Sequence, residues 1–252
     1  MTTQRRTTYE GMLAETMSFS GDHGDIIGGY MARPLGSGPY PGVVVIHEAF
    51  GLVEHTKELV RKFAAHGYIS IAPDLYYREG PGDPEKILAA VRQKGGAPDS
   101  RVIGDLEGAV AALRSVVTCS GKIGCIGHCS GGRHTLLFAC NTKNLAAAVD
   151  CYGGRVVTDE LTPNQPKAVI DMVADLSCPL LGLFGELDAN PSPEHVARLE
   201  EEVKKHNKEY EFKSYPGDTG HGFFADYRPS YRQESAVDGW QRIFDFFGRH
   251  LS

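Results

Sequence analysis

The sequence predicts an α/β fold in which helices cover both faces of a mostly parallel central sheet. Short apolar runs of strand length alternate along the 252 residues with segments whose apolar side chains recur every three or four positions. The apolar runs contain few polar residues, which is typical of parallel strands buried on both faces. Because no linker-like stretch interrupts this alternation, we expect a leader over residues 1–15 and a single domain over residues 16–252.

The first half of the chain supplies three predicted strands and three predicted helices. The segment GVVVIH is a continuous apolar run, as expected of a fully buried strand, and Pro73-Asp74 ends the strand that follows it. A long amphipathic helix is indicated where apolar residues from Val102 to Val117 are spaced by three or four positions. In chain order these elements are a strand at 26–33, a strand at 42–47, a helix at 55–66, a strand at 68–72, a helix at 84–93 and a helix at 99–117.

The second half of the chain continues the alternation. AAAVDCY and PLLGLFG are apolar strands, and a charged helix keeps an apolar stripe of Val196, Leu199 and Val203. Aromatic and aliphatic residues from Val237 to Phe247 recur at helical spacing and predict a closing helix. The remaining predicted elements are, in order, a strand at 122–127, a helix at 131–140, a strand at 146–152, a strand at 179–185, a helix at 193–206 and a strand at 210–216.

Composition argues against several function classes. The net charge of −6 gives no electrostatic basis for binding nucleic acid, and no apolar run reaches the roughly 18 residues of a membrane span. The Arg5-Arg6 pair is not followed by an apolar segment, so the N-terminus does not resemble an export signal. The six cysteines form no C-x-x-C pair, and no Cys/His cluster has metal-ligand spacing. We expect a cytoplasmic protein with reduced thiols, no metal or other cofactor, and a monomeric or homodimeric state.

A glycine-rich turn carries the first candidate for catalysis. The segment GHCSGG (127–132) has the G-x-nucleophile-x-G spacing of a strand-to-helix elbow, with Cys129 in the central position. Glycine is needed on both sides because side chains there would collide in so tight a turn. The same frame around Ser130 would need glycine at position 128, where the chain has histidine. Ser130 is therefore expected to contribute its backbone N–H to an oxyanion hole. The alternative is that Cys129 is an inert, buried thiol.

Other polar residues follow predicted strands, at the end of the sheet where ligands bind in open parallel sheets. Asp188 follows PLLGLFG, and His221 lies between glycines in a later loop, so nucleophile, acid and histidine come in the order found in α/β-hydrolases. Asp188 would orient the imidazole, with Glu186 as the competing residue. Taken alone, His221 could be a surface residue and Asp188 a turn residue. Glu48 follows GVVVIH directly and either lies near the nucleophile or pairs with an arginine.

Taken together, these motifs make the chain similar to the dienelactone hydrolases (carboxymethylenebutenolidases), a branch of the α/β-hydrolase superfamily. The resemblance covers about residues 18–248, nearly the whole chain, and implies the α/β-hydrolase fold. It rests on HEAFG (47–51), APDLYYR (72–78), GHCSGG (127–132), the aspartate of GELD and the GH pair at 220–221.

The resemblance implies a hydrolase that opens a lactone or an activated enol ester. Cys129 would be the nucleophile, His221 its base and Asp188 the partner of the imidazole. Attack by the thiolate would give an acyl-enzyme, which water then hydrolyses. In the resting state Glu48 is implied to contact the thiol, so that the thiol is activated only when substrate is bound and is protected from oxidation until then.

The resemblance also implies how the substrate is held. The oxyanion donors would be the backbone N–H groups of Ala49 and Ser130. Members that open dienelactone bind its carboxylate with arginines, and Arg78 matches one of these within DLYYR. The position of the second arginine, four residues after the catalytic histidine, is occupied by Ala225, and Arg228 follows three residues later. A related lactone or activated ester therefore remains open as the substrate.

Aromatic residues near these motifs allow a second enzymatic interpretation. A pocket formed by Phe50, Tyr76, Phe223 and Phe224 would suit a general carboxylesterase or thioesterase on the same scaffold, although these side chains could equally be core residues. A non-catalytic ligand-binding protein of the same fold is a further alternative, and the intact order of nucleophile, acid and histidine is evidence against it. Nucleotide binding is disfavoured because GCIG at 124–127 is not G-x-G-x-x-G.

Overall fold

Eight strands form one sheet and six α-helices pack against it within residues 11–252, the part of the chain that the computed structural model describes. The strands are β1 (Met12–Ser20), β2 (Ile26–Pro34), β3 (Tyr40–Ile46), β4 (Ile69–Pro73), β5 (Cys119–His128), β6 (Ala147–Cys151), β7 (Leu180–Gly185) and β8 (Tyr210–Tyr215). The helices are α1 (Glu54–Ala65), α2 (Pro84–Gln93), α3 (Asp99–Ser115), α4 (Ser130–Asn141), α5 (Pro193–Lys205) and α6 (Gln233–His250).

The sheet is parallel over most of its width. Its strand order is β1-β2-β4-β3-β5-β6-β7-β8. Strand β2 is antiparallel to both of its neighbours, β1 and β4, whereas every pairing from β4 onwards is parallel. The predicted mostly parallel sheet is therefore confirmed. Because parallel strands end on the same side, the loops that follow β3, β5 and β7 come together at one end of the sheet.

Strand β3 shows why a strand that is buried on both faces has a continuous apolar sequence. Val44 and Ile46 belong to the core on the face covered by α3 and α4, whereas Val43 and Val45 belong to the core beneath α1 and α6. None of the four side chains is more than 1% exposed. Each stabilises the fold by about 1.5–3 kcal/mol, and both faces must be apolar because both are covered.

The N-terminal strand differs from the sequence prediction. Strand β1 begins at Met12 and pairs with β2 along its whole length, so residues 12–15 of the predicted leader belong to the sheet. Positions 1–10 lie outside the described residues. Most β1 side chains are exposed or half-buried, because this is an edge strand. The strand therefore lacks the apolar run by which the other strands are predicted.

Most other predicted elements are present, with bounds shifted by one or a few residues. Helix α3 ends at Ser115 rather than 117, and Val117 is 99% exposed instead of completing the apolar stripe. Residues 11–252 also contain three short 3₁₀ segments that no periodic pattern predicts: Asp22–Gly24, Tyr77–Glu79 and Val169–Asp175.

Candidate active site

Cys129 lies in the turn between β5 and α4, at the end of the sheet where ligands are expected. Its backbone has φ 58° and ψ −122°, a left-handed conformation that non-glycine residues rarely adopt. The turn is held by its own backbone: the Cys129 N–H donates to the carbonyl of Cys151 at 3.1 Å, and the Cys129 carbonyl accepts from the N–H of Gly132 at 3.0 Å. The thiol itself is half-buried and not part of a disulfide.

The flanking glycines are required by close backbone contacts. A Cβ atom on Gly127 would lie 2.1 Å from the carbonyl oxygen of Gly131, and one on Gly131 would lie 2.5 Å from that of Ile46. Ser130 is instead the first residue of α4, and its hydroxyl is buried without a partner among the described residues. The structure thus places Cys129, and not Ser130, at the strained position of the elbow.

His221 and Asp188 form a close pair beside this turn. His221 Nδ1 lies 2.7 Å from Asp188 Oδ2, and the other carboxylate oxygen accepts the Asn190 N–H at 2.8 Å. Asp188 is 2% exposed at its side chain, whereas the competing Glu186 is exposed. Burial by itself would lower the pKa of His221, but hydrogen bonds with Asp188 and Cys129 outweigh burial and raise this pKa to about 10. With Nδ1 bonded to Asp188, Nε2 is the atom left for the thiol.

Glu48 is held by an arginine from a distant part of the chain. Its Oε2 accepts a hydrogen bond of 2.5 Å from Arg228, whose guanidinium lies over the rings of Phe50 and Tyr227. Its Oε1 is buried and has no partner within residues 11–252. In the part of the chain that is described, the structure has no hydrogen bond between Glu48 and the Cys129 thiol, so the contact that the resemblance implies is absent from it. The guanidinium of Arg228 orients the carboxylate of Glu48 instead.

The cavity in front of Cys129 has a volume of about 560 Å³. Ala49, Ser130 and His221 line it together with Cys129, so both expected oxyanion residues border the same cavity as the thiol. Ser130 opens α4, and the N–H groups of a first helical turn have no acceptor within the helix. The positive end of the helix dipole also favours an anion at this point.

Sequence reasoning missed the arginines of the cavity wall. Arg133 is bound by both carboxylate oxygens of Asp99, at 2.7 and 3.0 Å, and Arg155 donates to Glu160 at 2.8 Å. The side chain of Arg92, in the last turn of α2, makes no hydrogen bond or ion pair with any other residue in the described range. It is thus the wall arginine whose charge is available to a ligand.

Helical spacing could have identified Arg92 as a residue of the cavity wall. Leu88 is buried in the cavity wall, and Arg92 lies four positions later and so on the same face of α2. Tyr152 was missed as well: its ring packs edge-on against that of His221, with centroids 5.1 Å apart, and it directly follows the strand β6.

Arg78 does not line the cavity. Its guanidinium donates to both carboxylate oxygens of Asp105, at 2.8 and 3.0 Å, and to Asp25 at 2.8 Å. Asp105 is fully buried in α3, so this pair ties the segment after β4 to that helix. Arg78 was expected to bind substrate, but two carboxylates already accept hydrogen bonds from its guanidinium. Its role is therefore structural.

The aromatic residues of the predicted pocket separate in the structure. Tyr76 lines the cavity, as expected, and burial raises its pKa to about 12. Phe50 instead faces a second, open groove together with Arg228. Phe223 is fully buried against Tyr152 in the core beneath α6 and does not line the cavity, which contradicts its predicted role in substrate binding.

Within residues 11–252, no group of three or more His, Cys, Asp or Glu side chains is arranged to hold a metal ion. In the same range, no helix combines the length and the apolar character needed to cross a bilayer.

Comparison with known proteins gives consistent matches. The model of the dienelactone hydrolase family matches residues 27–251. A protein of Escherichia coli O157:H7 named "Putative carboxymethylenebutenolidase" is 39% identical over 232 residues, which are 90% of this chain and 84% of that protein. A protein of the same name from Synechocystis sp. is 31% identical over 231 residues, covering 89% of this chain and 92% of that protein.

Solved structures agree with these matches. The crystal structure of a "Putative Dienelactone Hydrolase" from Klebsiella pneumoniae subsp. pneumoniae superposes with a TM-score of 0.87 at 35% identity, covering 95% of this chain and 99% of that one. Brefeldin A esterase superposes with a TM-score of 0.68 at 15% identity, covering 95% of this chain and 76% of that one. The second likeness concerns the fold alone.

Proposed function

The chain belongs to the dienelactone hydrolase family, and from that premise we propose that it opens a lactone or an activated ester by covalent catalysis through Cys129, His221 and Asp188. The family and its fold make the chain a hydrolase of carboxylic esters with the α/β-hydrolase fold. The observation that carries the mechanistic proposal is the Asp188–His221 pair, 2.7 Å apart, beside a cysteine in a strand-to-helix turn.

The first half of the reaction forms the acyl-enzyme. The proton of the Cys129 thiol has passed to Nε2 of His221, whose Nδ1–H is held by Asp188, and the resulting thiolate attacks the acyl carbon. The raised pKa of His221 favours the imidazolium that results. The oxyanion of the tetrahedral intermediate accepts hydrogen bonds from the backbone N–H groups of Ala49 and Ser130. When the intermediate collapses, the C–O bond breaks and the imidazolium returns its proton to the leaving oxygen.

The second half releases the product. A water molecule gives its proton to His221 and attacks the thioester carbon, and the thiol leaves with a proton from the imidazolium. In a lactone the leaving oxygen stays attached to the acyl chain, so a single product carries both the new carboxylate and the released enol or hydroxyl group. An enolate leaving group suits a sulfur nucleophile because it is stabilised and departs readily.

The pairing of Glu48 with Arg228 supports a thiol that is free to react with His221. A carboxylate placed against the thiol would compete with the imidazole for the thiol proton. Here Arg228 draws Oε2 of Glu48 to itself at 2.5 Å, so the competing acceptor is engaged elsewhere. Glu48 then acts on Cys129 only through its charge.

The cavity supports a small anionic substrate. Tyr76, Leu88 and Val91 provide apolar wall, and Arg92 adds a guanidinium without a partner among the described residues. A substrate that carries a carboxylate near its ester would place the apolar ring against this wall and its charge near Arg92. The apolar wall alone would also accept a neutral acyl ester, which is the second candidate class.

The test compares turnover of p-nitrophenyl acetate and of a carboxylated enol-lactone by the wild type, Cys129→Ala and Cys119→Ala. We expect the first variant to lose turnover by about three or more orders of magnitude. Cys119 is also half-buried and reduced but lies at the start of β5, so its variant should match the wild type. An acyl adduct on Cys129, detected by mass spectrometry, would identify the intermediate. Wild-type turnover that persists in Cys129→Ala would exclude the proposed nucleophile.

A further inference from the structure

His47 bridges the two loops that form one side of the cavity. It follows β3 directly and is 2% exposed. Its Nδ1 lies 2.7 Å from the carbonyl oxygen of Glu48, and its Nε2 lies 3.1 Å from the backbone nitrogen of Leu75. The ring also packs edge-on against Tyr76, with centroids 4.8 Å apart. The mechanism described above makes no use of this buried imidazole.

The two partners fix the tautomer of His47. A carbonyl oxygen can only accept a hydrogen bond, so Nδ1 must carry the proton that reaches Glu48. A backbone N–H can only donate, so Nε2 must be unprotonated toward Leu75. Only the neutral imidazole with its proton on Nδ1 satisfies both contacts. Burial lowers the pKa of His47 and keeps the ring in this neutral form.

The Glu48 carbonyl accepts hydrogen bonds from His47 Nδ1 at 2.7 Å and from the Gly51 N–H at 3.1 Å, and together these contacts set the orientation of the next N–H group. The carbonyl of Glu48 and the N–H of Ala49 belong to one peptide unit, which is planar and trans, so they point in opposite directions. Holding the carbonyl toward His47 therefore turns the N–H of Ala49 away from His47. Ala49 lines the cavity with Cys129, and its N–H has no acceptor among residues 11–252.

We propose that His47 is a positioning residue of the oxyanion hole: by bonding the Glu48 carbonyl and the Leu75 N–H together, it locks the Glu48–Ala49 peptide with the N–H of Ala49 aimed at the cavity. This inference rests on the proposed function, since it assigns a cause to one of the two oxyanion donors. The lock works without contact between His47 and the substrate. It also ties Ala49 to the segment that carries Tyr76, so the two loops on this side of the cavity share one anchor.

The test compares His47→Leu, His47→Asn and His47→Gln. The amide nitrogen of asparagine is attached to Cγ, as Nδ1 of histidine is, so it can still donate to the Glu48 carbonyl. The amide of glutamine lies one methylene further out, near the position of Nε2, and leucine offers neither a donor nor an acceptor. Two reactions of Cys129 are measured in each variant. Acylation by p-nitrophenyl acetate passes through an oxyanion, whereas alkylation by iodoacetamide attacks a saturated carbon and does not. Thermal unfolding reports the folded fraction.

We expect His47→Leu and His47→Gln to acylate about 10- to 100-fold more slowly than the wild type, since losing one oxyanion donor costs about 100-fold or more. Their alkylation rates should stay within about twofold of the wild type, and His47→Asn should recover most of the acylation rate. The change should appear in kcat with little change in KM, because the N–H acts on the transition state. If His47→Leu does not fold, the comparison of asparagine with glutamine decides.

Three results would overturn the role of His47: equal acylation rates in the wild type and the glutamine or leucine variant, equal losses of acylation and alkylation, or an asparagine variant as slow as glutamine. Failure of the proposed function has a different signature. In that case the wild-type thiol is alkylated by iodoacetamide but forms no acetyl adduct with p-nitrophenyl acetate.

Discussion

Arg228 donates a hydrogen bond of 2.5 Å to Glu48 across 180 positions of the chain. The carboxylate side chain is 5% exposed and the guanidinium 22%. The loop before α6 thus supplies the countercharge for the loop after β3, and the pair lies next to the proposed oxyanion peptide. In the proposed mechanism, the charge of Arg228 offsets that of Glu48, so that the carboxylate does not compete with His221 for the thiol proton.

The first expectation concerns this ion pair. Arg228→Met leaves Glu48 buried and unpaired, so the free energy of unfolding should fall by about 2–3 kcal/mol, less than for a fully buried pair because the guanidinium is partly exposed. Adding Glu48→Gln removes the unpaired charge and should recover part of the loss. Urea unfolding of both single variants and the double variant measures this coupling. A double variant whose loss equals the sum of the two single losses would mean that the pair contributes no coupling.

The second expectation concerns Arg92 and the substrate charge. Arg92→Met should lower kcat/KM for a carboxylated enol-lactone by about 10- to 100-fold, since a hydrogen bond to a charged group contributes about 1.5–3 kcal/mol. Turnover of neutral p-nitrophenyl acetate should change little. The matched control is Arg78→Met, whose guanidinium is held by Asp105 away from the cavity and should affect stability rather than charge preference. Equal losses on both substrates in Arg92→Met would contradict the assignment.

The third expectation concerns the pH dependence of stability that His221 creates. Its pKa in the folded state is raised to about 10, above the ordinary value of 6.5. The imidazolium therefore stabilises the fold fully below pH 6.5, and this contribution disappears as the pH rises through 10. Melting temperatures of the wild type and His221→Gln, measured across that interval, should converge at alkaline pH. A constant difference between them would show that His221 does not titrate in this way.

The fourth expectation concerns His128, the residue before the proposed nucleophile. Burial lowers its pKa to about 3, and neither ring nitrogen has a partner within the described residues. The unfolded chain therefore takes up a proton at this site below about pH 6.5, and stability falls as the pH drops from 6.5 toward 3. His128→Phe should reduce this acid-induced loss and be at least as stable at neutral pH. The explanation would be refuted if urea unfolding showed the same loss of stability on acidification in His128→Phe as in the wild type.

The local features of the site could be predicted from sequence because each depends on a short stretch of chain. The elbow at Cys129 follows from the two flanking glycines, whose absent side chains the turn requires. The positions of Asp188 and His221 follow from the ends of apolar strands, since parallel strands bring their carboxyl ends together.

The predictions that were wrong, and the contacts that were not predicted, mostly involve distant segments of the chain. Arg78 lies in a family-like motif, yet Asp105 in another helix binds its guanidinium and removes it from the cavity. No local pattern reports that Arg228 meets Glu48, because the two loops are joined only by the folded sheet. Strand β1 was missed because an edge strand that is exposed over most of its length carries almost no apolar pattern.

The backbone that surrounds Cys129 does not depend on its sulfur atom. The left-handed turn is held by main-chain hydrogen bonds and by the packing of Gly127 and Gly131 against carbonyl oxygens, none of which touches the thiol. The conformation of the turn is therefore independent of whether residue 129 carries sulfur or oxygen. During evolution, or in a designed variant, sulfur could be exchanged for oxygen by one substitution, and the acid–base pair would then have to adapt to a more basic nucleophile while the architecture stayed unchanged.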